Sequence, residues 1–167
     1  MHNLNLVSAK TCKKEFPELN FVINNNLPTK LFGLIQNKVV HLHPSLTESE
    51  LRCTIIEEAM HWKYTVGDIT NFNNIDNIKQ EKFARRKSHE YLVNLQTLAL
   101  CYDLGYRTYY EAATFLNVTE KFLIEVVENY REKYGLMYNN GNYIIHFGST
   151  IQVFQEDNSF YPYDYGC

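Results

Sequence analysis

Three residues in one short run, Thr54-Ile55-Ile56-Glu57-Glu58-Ala59-Met60-His61, have the types and spacing for chemistry: Glu57, Glu58 and His61. On a helix, residues four apart stand one turn apart on the same face, so Glu57 and His61 can address one ion. Glu58, rotated by about 100°, can reach a water beside it. The pattern is the H-E-x-x-H helix of zinc hydrolases with a carboxylate at the first histidine. A carboxylate oxygen binds zinc at about the same distance as an imidazole nitrogen, and catalytic zinc usually has three protein ligands and an open position. The third ligand is expected from Glu81, in Gln80-Glu81-Lys82-Phe83-Ala84-Arg85 early on the next helix. Glu57, His61 and Glu81 would hold Zn2+ with Glu58 as the catalytic general base, activating water and then protonating a leaving amine. Two carboxylates and one imidazole make a harder, more anionic donor set than two histidines and a glutamate, so another divalent ion, or none, is also open. The bland alternative is a solvated helix face, where such a pattern arises by chance.

The elements that must position these residues are legible. Residues 4–16 read as a short leading helix ending near Pro17, and residues 20–23 as a β-type run. Residues 30–35 and 37–43 read as a hairpin turning at Gln36-Asn37, giving a small antiparallel sheet. Thr47 and Glu50 form a T-x-x-E capping box that opens a helix over about residues 48–64. Residues 66–68 end it, residues 70–77 are a loop, and a second helix is expected over residues 78–104, stopped by Gly105. Residues 109–116 and 121–134, joined at Asn117-Val118 with Thr119 as N-cap, have helix-turn-helix spacing. Asn139-Asn140-Gly141-Asn142 marks a hairpin within residues 136–153, and residues 155–167 are an acidic, aromatic tail.

At 167 residues the chain fits one domain, with residues 1–104 as sheet plus active-site helices, 105–154 as a helical and hairpin subdomain and 155–167 as the tail. A net charge of −3 without long Lys/Arg runs argues against bulk electrostatic binding of nucleic acid. The second helix of the helix-turn-helix-like pair is rich in glutamate, which suits packing or partner docking better than phosphates. No signal-peptide core or membrane span is expected, which points to the cytoplasm. Cys12, Cys53, Cys101 and Cys167 lack C-x-x-C spacing and read as free thiols without a role. His41 and His43 alternate on a strand near the motif helix and could supplement the site, although an exposed strand face is the expected explanation. His89 reads as a helix-surface residue.

The run from Cys53 to His61 with Tyr64-Thr65-Val66-Gly67-Asp68 resembles the ImmA/IrrE family of bacterial and phage metallopeptidases, in particular its short phage and mobile-element members. The similarity continues through Gln80-Glu81-Lys82-Phe83-Ala84-Arg85, Tyr110-Glu111-Ala112-Ala113 and Tyr130-Arg131-Glu132-Lys133-Tyr134-Gly135. The resemblance implies an α+β, zincin-like fold of gluzincin type, with zinc held by the motif helix and a glutamate of the next helix. It implies that Glu58 matches the catalytic glutamate, His61 the second zinc ligand and Glu81 the third. Glu57 stands at the first-ligand position, and Met60 and Trp62 replace the glycine and second histidine of the usual G-H-H. The implied role is relief of repression in a bacterial host by acting on, and cleaving, a helix-turn-helix phage-type repressor. A non-catalytic antirepressor on the same fold is the alternative. Neither a membrane partner nor direct nucleic-acid binding is expected.

Overall fold

The computed structural model describes residues 9–66 and 75–155. The expected elements at residues 4–8, 67–74 and 156–167 lie outside them. In chain order they are α1 (Ala9–Glu15), β1 (Asn20–Ile23), β2 (Gly33–Gln36), β3 (Val39–Leu42), α2 (Glu48–Tyr64), α3 (Ile75–Leu92), α4 (Leu95–Asp103), α5 (Tyr109–Leu116), α6 (Glu120–Tyr134), β4 (Met137–Asn139), β5 (Tyr143–Phe147) and β6 (Ile151–Gln155). The architecture is mixed α+β, six helices with two three-stranded sheets among the described residues.

The first sheet is not the antiparallel one that the sequence suggests. Its order is β1-β3-β2, with β3 antiparallel to β2 but parallel to β1. β3 is the strand whose Val40 and Leu42 are wholly buried, so it takes the centre, where both edges and the helix layer cover it. The β2–β3 turn falls one residue later than expected, at Asn37-Lys38, both at positive φ. That is the two-residue arrangement whose twist matches the strands it joins.

α2 begins at the expected capping box: Glu50 N–H donates to Thr47 Oγ1 at 3.3 Å, and Thr47 N–H donates to Glu50 Oε2 at 2.8 Å. The helix buries Cys53, Ile55, Ile56, Ala59 and Met60, a stripe with helical spacing. Buried Arg52 reaches from α2 to the far end of α5, where its Nη1 donates to the carbonyls of Leu116 and Asn117. It thereby serves carbonyls that a helix terminus leaves unpaired.

The single helix expected over residues 78–104 is two. Asn94 leaves the helix in an extended conformation and its side chain accepts from Thr97 N–H, starting α4, while the Tyr130 hydroxyl donates to the carbonyl of Val93 at 2.8 Å. A short polar side chain that bonds nearby backbone favours such an N-cap over helix interior. α5 and α6 occupy the expected residues, with Asn117 left-handed between them and Thr119 capping α6. The expected hairpin extends into a third strand, β6, and the sheet order is β4-β5-β6. Its inner side chains Ile145, Phe147, Ile151 and Val153 join the apolar core that also includes α2, α4 and α6.

Gly33 sets how closely β2 lies on α2. A Cβ there would come within 2.5 Å of Thr54 Cγ2 and 3.1 Å of Glu58 Cγ. Gly33→Ala is therefore expected to cost about 1–3 kcal/mol by overpacking. Adding Thr54→Ser, which removes the nearer methyl, should recover part of the loss in urea unfolding; additive losses in the double mutant would show that the contact is not the cause.

Candidate active site

Thr54, Glu57, Glu58, His61 and Thr65 recur at helical spacing along the flank of α2 that adjoins its buried stripe. The ionisable groups therefore sit at the boundary of the apolar core, half-buried, instead of on an open helix face. Opposite stands α3. Val66 N–H donates to Gln80 Oε1 at 2.7 Å, and the rings of Tyr64 and Phe83 meet edge-on at 5.4 Å, so the end of α2 is tied to α3 on both sides of Glu81. The result is contact between two of the expected residues: His61 Nδ1 lies 3.2 Å from Glu81 Oε2. Burial lowers the His61 pKa from its ordinary value, against the pull of Glu81. Burial thus favours the neutral imidazole at this contact between α2 and α3.

The two α2 carboxyls are strongly perturbed. Burial, opposed chiefly by Arg85, pushes Glu57 up to about 7. Burial together with the neighbouring Glu57 charge pushes Glu58 up to about 7, with the Ile35 backbone N–H on β2 holding the carboxylate against that rise. A carboxyl poised near neutrality can both take and return a proton.

Beyond these four residues, the spacing-based reading missed Arg85 and Glu125. Arg85 Nη2 is 3.7 Å from Glu81 Oε1, and its Nη1 is 3.7 Å from Glu125 Oε2 on α6. The available signal was the i,i+4 spacing of Glu81 and Arg85, which places opposite charges on one helix face. Nothing local in the sequence brings Glu125 to them. His89 is also misread by surface expectation. It is 4% exposed, its ring stands edge-on to Phe122 at 4.9 Å, and Asn129 Nδ2 lies 3.0 Å from its Nδ1. Burial lowers its pKa to about 4, so it is neutral. Its Nε2 has no hydrogen-bond partner among the described residues and lies 3.8 Å from Glu125 Oε2. His41 and His43 turn to local partners, Asn24 and Ser45. Burial pushes the Cys53 thiol up to about 12 and the Cys101 thiol to about 11, which keeps both as unreactive thiols.

The donor set suits a divalent ion in kind, since imidazole and carboxylate are zinc ligands and two of the three expected donors already meet. It is not closed as placed: among the described residues no three His, Cys, Asp or Glu side chains converge closely enough to hold a metal ion.

The sequence profile of the IrrE N-terminal-like domain matches residues 23–127, from the end of β1 to the middle of α6. This span is well over half of the chain and contains every residue of the site, so the protein belongs to the ImmA/IrrE family and is zinc-metallopeptidase-like. No curated protein and no solved structure matches the chain. No helix among the described residues is long and apolar enough to cross a membrane.

Because the folded state holds the Glu58 proton more tightly than the unfolded chain does, its contribution to stability is full below pH 4.5 and is lost as pH rises towards 7. In chelator-treated protein, urea unfolding should show wild type losing about 2 kcal/mol relative to Glu58→Gln across that window. Parallel pH–stability curves for the two proteins would contradict the buried placement of this carboxyl.

Proposed function

We propose that this chain acts on a transcriptional repressor of phage or mobile-element type, relieving repression by cleaving it. The observation that carries the reading is the meeting of His61 with Glu81 beside two carboxyls held near neutrality, within a domain of a metallopeptidase family. Glu57, His61 and Glu81 would hold a zinc ion or a related divalent cation. When bound, such an ion supplies Lewis acidity for peptide hydrolysis. Glu58 does the proton work. Its carboxylate accepts from the Ile35 N–H on β2, which fixes its orientation, and a pKa raised to about 7 lets it take a proton from water and return it to the departing amine.

A second reading, an antirepressor that binds its repressor without cutting it, draws on a specific observation. Arg85 stands on Glu81, and the three donors do not close around a common point. Glu58→Gln separates the readings. When the chain is co-expressed with a helix-turn-helix repressor encoded beside it and with a reporter, wild type should yield repressor fragments and derepression. In Glu58→Gln both should fall by at least about a hundredfold, the usual weight of a general base. Derepression that persists undiminished, with intact repressor, would establish the binding reading instead.

A further inference from the structure

The donor set stops short of closure beside a positive charge that belongs to the chain. Glu81 is used at both oxygens: Oε2 meets His61 at 3.2 Å, and Oε1 meets the Arg85 guanidinium at 3.7 Å. The other arm of the same guanidinium is held from α6 by Glu125 at 3.7 Å. Arg85 thus spans carboxylates of two helices. It lines both the cleft of about 760 Å³ that contains Glu81 and the pocket of about 150 Å³ that contains Glu57. Lys121 also touches Glu125, at 3.9 Å, and acts on Glu57 from the same pocket, but its side chain is 86% exposed and its pull on Glu57 is weaker than that of Arg85.

We infer that Arg85, anchored by Glu125, is the resident counter-cation of the Glu57–His61–Glu81 donor set and lowers its affinity for a divalent ion. The inference rests on the metallopeptidase reading and adds to it a residue that sets how easily the site loads. Ion pairs at this exposure add little to stability. Repulsion between this guanidinium, half-exposed and paired at 3.7 Å with both Glu81 and Glu125, and an incoming ion scales with the ion's double charge, and solvent screening limits it to a modest effect on affinity. In this role Arg85 sets the charge around the donor set, from the lining of the cleft that contains Glu81.

Isothermal titration of the full chain with zinc chloride, and separately with manganese chloride, tests this. Arg85→Gln should tighten binding about tenfold, or about 1.4 kcal/mol, whereas Arg85→Lys, which keeps the charge, should stay within about twofold of wild type. Arg86→Gln removes the same net charge from the next residue of α3 and should also stay within about twofold, which excludes a bulk charge effect. Circular dichroism melts establish that the variants are folded, and Arg85→Met, which also removes the charge and carries the same tenfold expectation, takes the place of the glutamine variant if that one is not. Binding by Arg85→Gln where wild type shows none would support the inference. An unchanged constant in Arg85→Gln, or an equal gain in Arg86→Gln, overturns the inference while leaving the metallopeptidase reading intact. Absence of binding in wild type and Arg85→Gln alike overturns both.

Discussion

The structure turns on the burial of two adjacent stripes of one helix. α2 places Ile55, Ile56, Ala59 and Met60 in the core, and the next flank around the helix carries Glu57, Glu58 and His61. The apolar stripe fixes the rotation of α2, and that rotation holds the carboxyls at the edge of a low-dielectric interior where their charged forms are costly. The surrounding parts answer this cost. β2 supplies the Ile35 N–H, α3 supplies Glu81 to the imidazole, and Arg85 supplies the opposing charge, itself held by Glu125 of α6. Gly33 admits β2 close enough for its backbone to reach Glu58.

Distant contacts then fix α2 in place. Arg52 ties it to the end of α5, Glu48 Oε1 accepts from Ala9 N–H at the start of α1, and the Tyr64–Phe83 and Val66–Gln80 contacts register it against α3. A site made from three helices and a strand edge depends on these ties, because a shift of even an ångström separates groups that interact at hydrogen-bond distance.

The parts of this arrangement that were legible in the sequence are those whose causes are local. The capping box at Thr47 and Glu50 marks the start of α2, Thr119 and Gly135 bound α6, and Glu57, Glu58 and His61 declare themselves by spacing. What was not legible depends on partners far along the chain. β3 takes the middle of the sheet, where its Val40 and Leu42 are buried, and its parallel pairing with β1 is a contact that no local turn signal announces. The α3–α4 break needs Tyr130 as well as Asn94. His89 is buried because α6 brings Phe122 and Asn129 over it, although the Ala84, Ser88 and Leu92 spacing on its own helix marked a buried face nearby. Arg85 was visible as the i,i+4 partner of Glu81, but its link to Glu125 arises only from helix packing.

The proposed function makes one central claim, which family membership and the His61–Glu81 contact support: that Glu57, His61 and Glu81 would be the donors of a single divalent-ion site that Glu58 serves. Equilibrium dialysis of the full chain against zinc, with bound metal counted by elemental analysis, tests it directly. The account predicts one ion per wild-type chain and loss of that ion in Glu81→Gln with the fold intact. No bound ion in wild type, or an ion retained unchanged in Glu81→Gln, would contradict it.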